Sequence, residues 1–390
     1  MKQSTYAVVA SIALTASPAQ SRPPQDHLGY VSKYASYYNI DRKEALRRMV
    51  ETDKAIEVQA KLRVIAPHSF AGMHIEHKPR FRVVTKFTQM PPKPIRQIVA
   101  GELFQIETAS HSEKELRSAL DAVSKDLSSR KLRYMASIDV RKSKILVEVA
   151  PEDVPKIGAS YAKDAGSIYE WRTTQGFVTP TFAPYAAYRG GDRLWSATGM
   201  FCTSGFHAKL ADGTPVVTTA GHCDNEMRIW NSTGRVIPWI NEKDKGSFDI
   251  QWHRHSSSVY YLHPSIEAGS ATYDIRAVRP TSLMGVGQLV CKYGLKTYLT
   301  CGEIIAVDFT RDYRGEPGTY IQVRNEAGNM MTDHGDSGGP VYAWHEGVGY
   351  NAYGMVHGRG EDGSSIVNDM FYMPAEKFAE AGLSIMLRTN

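Results

Sequence analysis

The chain has 390 residues, 42% of them hydrophobic and 22% charged, with a formal net charge of +5. These proportions suit ordinary globular cores and exclude a disordered, collagenous or coiled-coil chain, while the length asks for two or three units. No apolar run reaches the ~18–20 residues of a spanning helix, which excludes a multi-span membrane protein.

Read in chain order, Lys2 precedes an apolar stretch from Tyr6 to Leu14, and Ser17-Pro18-Ala19 supplies small residues for a cut. That order predicts a signal peptide over residues 1–20. Arg22-Pro23-Pro24 opens a polar approach to the first folded segment. Asp41 and Glu44 have capping-box spacing, and Ala45, Leu46, Met49, Val50, Ile56 and Ala60 recur at helical intervals. Phe81, Val83, Thr85 and Phe87 alternate as in a half-buried strand, before Pro91-Pro92-Lys93-Pro94 breaks the chain. Ser112 and Glu115 form a second capping box ahead of the apolar stripe Leu116, Ala119, Leu120, Val123 and Leu127. Ile138 and Val140 begin one strand and Ile145, Val147 and Val149 another, turning at Arg141-Lys142-Ser143-Lys144. The order helix–strand–helix–strand–strand predicts a small α+β domain. His74-Ile75-Glu76-His77 has metal-ligand residue types, but histidines three apart on a strand face opposite sides, so they read as solvated polar residues.

Residues 176–191, rich in Pro, Gly, Ala and Tyr, have linker composition and mark a boundary. Beyond it, short β-type runs (Pro215–Thr219, Ile304–Phe309, Tyr320–Val323, Val348–Val356) alternate with Gly, Asn and Asp clusters. No long amphipathic helix is expected before Ala375–Ala381, so this half reads as all-β. Charge divides in the same place. Residues 1–189 carry 29 Lys and Arg against 19 Asp and Glu, net +10, and residues 190–390 carry 17 against 22, net −5. All four cysteines (Cys202, Cys223, Cys291, Cys301) lie in the acidic half. Their close spacing favours Cys202–Cys223 and Cys291–Cys301; a reducing compartment would leave four thiols, and a secretory leader favours the disulfides.

Two segments carry chemistry. Thr218-Thr219-Ala220-Gly221-His222-Cys223 ends a strand on a histidine, and Gly335-Asp336-Ser337-Gly338-Gly339-Pro340 sets a serine in a glycine-rich turn. A serine hydroxyl needs a neighbouring base to take its proton, and the imidazole needs a buried carboxylate to fix its tautomer. Glycines let the backbone turn tightly so that N–H groups can face a developing oxyanion.

On these residues the chain resembles the chymotrypsin-like serine peptidases, whose signatures are matched by Thr219–Cys223 and Gly335–Pro340. In that family the order is His, Asp, Ser. Asp249, in Ser247-Phe248-Asp249-Ile250-Gln251-Trp252, fits as the carboxylate; Asp244 is the rival, expected in a solvated turn, and Asp224 is too close to His222. Gly190-Gly191-Asp192, Ser196-Ala197-Thr198-Gly199 and Cys202 narrow the resemblance to the bacterial streptogrisin and α-lytic type, as does Cys291-Lys292-Tyr293-Gly294 through Cys301-Gly302. Tyr34–Met49, Ser69-Phe70-Ala71-Gly72, Ile75-Glu76-His77 and Arg82-Val83-Val84 are similar to the pro-region of these enzymes.

The resemblance implies two antiparallel β-barrels of the chymotrypsin type over residues 186–390, preceded by a removable α+β pro-region over 22–185. It implies a secreted monomer, extracellular or periplasmic, that cuts protein or peptide substrates through Ser337, His222 and Asp249. The oxyanion would be held by backbone N–H groups of Gly335 and Ser337. A pro-region of charge opposite to the catalytic half has the sign needed for attraction as an intramolecular partner. No cofactor or metal is implied; His253, His255 and His263 are too loosely grouped for zinc. Nucleic acid is excluded as a partner because the β-half is acidic.

By register, the specificity pocket draws on Met331, Thr332, His334, His357, Gly358 and Arg359, and it lacks the disulfide that the streptogrisin type usually has there. Met331 stands where an Asp would select Lys or Arg, and His357 where a small serine is common. Met331 and Met355 suggest an adaptable apolar pocket, whereas His334, His357 and Arg359 could receive an acidic side chain as in a glutamyl-type enzyme. A catalytically silent homologue that binds partners is the alternative outside catalysis.

Overall fold

The computed structural model describes residues 27–157, 168–174, 176–179, 189–229, 235–255, 262–269, 271–361 and 363–389. The predicted signal peptide and most of the predicted linker lie outside the described residues. Among the described residues, no helix is long and apolar enough to cross a membrane.

The N-terminal part opens with helices His27–Tyr38 and Arg42–Ile65. The second begins as its spacing predicts, with the Asp41 carboxylate accepting the Glu44 backbone N–H at 2.9 Å. The first was not anticipated from periodicity, although Tyr30, Tyr34 and Tyr38 recur every fourth residue and are all buried. Strands Phe70–Glu76, Arg82–Phe87 and Phe104–Thr108 form a three-stranded sheet. Helix Glu113–Ser129 has a complete capping box: the Ser112 hydroxyl accepts from the Glu115 backbone N–H, and the Glu115 carboxylate accepts from that of Ser112. Its apolar stripe covers strands Tyr134–Asp139 and Lys144–Val149, which turn where expected.

His74 and His77 are buried rather than solvated. His77 stacks on Tyr38 with ring centroids 3.9 Å apart, and its Nε2 lies 2.9 Å from the Gly287 carbonyl. The covering groups come from segments distant in the chain, Tyr34 and Tyr38 of the first helix and Gly287 of the β-half, and so leave no local pattern around His77.

The β-half is built from mainly antiparallel, barrel-like sheets that do not close, with strand Ala271–Val278 running parallel to Gly349–Gly360. A five-stranded sheet, ordered Trp239–Lys245, Phe248–Arg254, Pro215–Thr219, Ala208–Lys209 and Ser384–Ile385, lies with a four-stranded sheet containing Arg193–Ser196 and Phe201–Thr203. The remaining strands belong to a twelve-stranded sheet centred on Leu289–Gly294, Tyr298–Tyr313, Pro340–His345 and Gly349–Gly360. The predicted run Ile304–Phe309 is the middle of the long strand Tyr298–Tyr313, and the helix expected over 375–381 is a single turn, Lys377–Glu380. Both expected disulfides are formed, Cys202–Cys223 and Cys291–Cys301.

The two parts share backbone. Tyr134–Asp139 pairs antiparallel with Tyr298–Tyr313 through Ala136↔Thr310 and Met135↔Arg311, so strands of the N-terminal part extend the sheet of the β-half. A second crossing occurs at Val178–Thr179, within the segment read as linker. It pairs with the end of Gly349–Gly360, Thr179 opposite Arg359 and Val178 opposite Gly360.

Candidate active site

Strand Pro215–Thr219 carries the chain to a tight turn that presents His222. The Gln251 side-chain amide pins this turn, donating to the Ala220 carbonyl at 3.0 Å and the Cys223 carbonyl at 2.7 Å, and the Cys202–Cys223 bond closes it from the other side. Strand Phe248–Arg254 runs beside Pro215–Thr219 with Thr219 opposite Gln251, so Asp249, two residues earlier, is level with the histidine. The Asp249 carboxylate accepts the His222 backbone N–H at 3.0 Å, and His222 Nδ1 lies 2.9 Å from each of its oxygens. On the other side of the ring, His222 Nε2 is 2.9 Å from the Ser337 hydroxyl. All three side chains are buried.

Ser337 sits in a loop whose backbone demands glycine. Gly335 and Gly338 have φ of 110° and 85°, in the left-handed region, and a Cβ on Gly338 would lie 2.2 Å from the Thr203 carbonyl oxygen. Asp336 anchors the loop. Its carboxylate meets Lys292 Nζ at 3.0 Å with both side chains fully buried, and it accepts backbone N–H groups from Asp333, Lys296 and Thr297. Burial pushes against the Asp336 charge, but Lys292 and these donors hold the carboxyl below its ordinary value. Neither Gln251 nor Lys292 was singled out as a site residue in the sequence, since each acts through a contact made by the fold.

Asp244 is not in a solvated turn. It lies in strand Trp239–Lys245 directly opposite Asp249, and its side chain is 4% exposed. It accepts from the Tyr313 hydroxyl and pairs with Arg314 at 2.7 Å. Burial and the Asp249 charge push its carboxyl up to about 6. The charged neighbours Glu242, Lys243 and Lys245 concealed this, because strand alternation turns only some of them to solvent. Asp224, too close to His222 in sequence, instead accepts from Ser196 and Thr198.

The pocket residues separate into groups. Met331 and Thr332 are buried, and the Thr332 hydroxyl lies 3.3 Å from Asp336 Oδ2. Asp333 pairs with Arg359, Nε to Oδ1 at 3.3 Å. His334 is half-exposed, its backbone N–H on the Asp333 carboxylate. Gly358 is buried, opposite Phe371 of the neighbouring strand. His357 turns its ring to Asp249, with Nδ1 2.6 Å from Oδ2. Burial alone would raise the Asp249 carboxyl, but the His222 and His357 rings hold it well below the usual carboxylate range. Such an array suits attack by a hydroxyl whose proton passes to an imidazole.

No family model matches the chain. Streptogrisin-D of Streptomyces griseus is 27% identical over 324 residues, covering 81% of this chain and 75% of its own length. The chain is a chymotrypsin-like serine protease, akin to the streptogrisins. Glutamyl endopeptidase 2 of Streptomyces griseus is 28% identical to this protease over 210 residues, covering 52% of this chain and 97% of its own. Among solved structures, Thermobifida fusca Protease A superposes on this protease with a TM-score of 0.42 at 22% identity, covering 52% of this chain and all of that one.

Proposed function

We propose that this protease is a secreted endopeptidase, made as a precursor, that hydrolyses peptide bonds through an acyl-enzyme on Ser337. The observation that carries the reading is the unbroken hydrogen-bonded line Ser337–His222–Asp249. Ser337 Oγ attacks the scissile carbonyl while His222 Nε2 takes its proton. His222 then returns the proton to the leaving amine, and Asp249 holds the imidazole in the Nδ1–H tautomer throughout. Backbone N–H groups of Gly335 and Ser337 receive the oxyanion, each such donor being worth ~10²–10³ in rate. Water repeats the sequence to release the acid.

Residues 22–185 are read as a pro-region that assists folding and blocks the site. Support comes from strand Val178–Thr179, which occupies the backbone edge at Arg359–Gly360, and from the net charges of opposite sign on the two halves. For the residue before the cut, an apolar side chain is favoured over an acidic one. Met331 and Met355 are fully buried beside the site, while His357 is committed to Asp249 and Arg359 to Asp333.

The test is hydrolysis of peptides with Phe, Leu and Glu before the cut by the secreted protein and its Ser337→Ala variant, beside labelling with a fluorophosphonate. Loss of both turnover and label in the variant is expected, with Phe or Leu preferred. Turnover by the variant would remove Ser337 from its role, preference for Glu would replace the apolar pocket, and absence of label in the wild type would mark a silent homologue.

A further inference from the structure

His357 makes a contact that the proteolytic steps do not use. It lies on strand Gly349–Gly360, 108 residues from Asp249, and is fully buried. A carboxylate offers only lone pairs, so the proton between Asp249 Oδ2 and His357 Nδ1 belongs to the ring. Nε2 of the neutral ring is then an acceptor, and Arg311 Nη1, which can only donate, lies 3.5 Å from it. Both tautomer and orientation are thereby specified. The ring plane is fixed as well, by Tyr320 stacked at 4.3 Å and Tyr313 edge-on at 4.9 Å.

We propose that His357 is a positioning residue for peptide hydrolysis: a second imidazole on Asp249 that, oriented by Arg311, holds the carboxylate where it meets His222. This rests on the assignment of Ser337, His222 and Asp249 above. The groups facing His357 are Asp249 from one strand, Arg311 and Tyr313 from a second, Tyr320 from a third, and His222 across the carboxylate, with Asp244 behind Tyr313. Burial, together with Arg311 and His222, works against a proton on Nε2, while Asp249 favours one; the balance leaves the ring titrating at about 4. The neutral ring, donating from Nδ1 and accepting at Nε2, therefore persists above about pH 4.

The second donor also draws charge from Asp249. Without it the carboxylate would stabilise the His222 imidazolium more strongly, so His222 would become available as a base only at higher pH. This separates positioning from simple space-filling.

The experiment compares His357→Phe, His357→Asn and Arg311→Gln in the full-length secreted chain, with active sites counted by fluorophosphonate titration. His357→Phe keeps the stacked ring but not the donor, and is expected to lower kcat about 10- to 100-fold while leaving KM within about two-fold. The acid limb of kcat/KM should move upward by roughly half a pH unit or more. His357→Asn places an amide N–H close to the Nδ1 position and should restore kcat to within several-fold of wild type. Arg311→Gln, which leaves His357 in place, should lower kcat by a smaller factor. If His357→Phe does not fold, the contrast of His357→Asn with His357→Ala decides by the same two readouts. Wild-type kcat and acid limb without the donor would overturn the proposal, as would equal losses in the donor-retaining and donor-lacking variants. Ser337→Ala is run in parallel; turnover there would instead overturn the triad reading, whatever His357 does.

Discussion

A carboxylate that accepts from two imidazoles and a backbone N–H has little rotational freedom left, and Asp249 is held in this way. Asp249→Asn should lower kcat by about 10⁴-fold, because the amide favours the wrong tautomer of His222. Asp244→Asn, although directly across the strand pair, should change kcat less than about 10-fold, since its own partners are Tyr313 and Arg314. Steady-state kinetics on the two variants checks both expectations, and the reverse ranking would exchange the two carboxylates. Lys292→Met strips the countercharge from buried Asp336 and should cost about 3–5 kcal/mol in a denaturant melt, with loss of activity as the Gly335–Ser337 loop relaxes. At this scale His222 and Ser337 were legible because their signatures are contiguous: a strand end beside a half-cystine, and a serine among glycines. Asp249 was legible through its apolar flanks. The bond from His357 to Asp249 was not, because a contact across 108 residues is created by strand register and leaves no local pattern.

At the level of elements, helices announced themselves where caps and stripes coincided, as at Ser112 and Glu115, and strands where alternation was clean, as at Ile145, Val147 and Val149. Helix His27–Tyr38 escaped because its stripe is tyrosine rather than aliphatic, and strand Phe104–Thr108 because its alternation, Phe104 and Ile106 against Gln105 and Glu107, spans only five residues. The pairing of Tyr134–Asp139 with Tyr298–Tyr313 was invisible for a different reason: edge strands of two segments far apart in the chain carry no mark naming one another. That pairing has a measurable counterpart. Residues 190–390 expressed alone should refold in lower yield than the full chain, and residues 22–189 supplied in trans should restore it; recovered active sites after dilution from denaturant give the comparison. Equal yields would mean the sheet extension is not needed for folding.

At the scale of the described molecule, five buried histidines contribute to the response to acid. Burial is the leading cause that lowers His74, His77, His207, His253 and His357, each to about 4. A histidine in the unfolded chain binds its proton near 6.5. Stability contributed by these groups is therefore complete above about 6.5 and is lost as pH falls toward 4, since the unfolded state takes up protons first. Melts at pH 7.5, 5.5 and 4.5 should show a decline reaching several kcal/mol at the lowest value; a flat profile would mean that the rings are protonated in place.

The two strand crossings also bear on colloidal behaviour. If residues before about 189 are cut away, backbone donors and acceptors are bared at Thr310–Arg311 and again at Arg359–Gly360. Exposed edges of this kind template further strands. One lies beside the proposed catalytic groups, where an arriving peptide would be held extended and then severed. The other is an ordinary strand edge at Thr310–Arg311, where a second molecule could join. Maturation would thus leave this protease with one edge that consumes what adds to it and one that must be kept from adding anything at all.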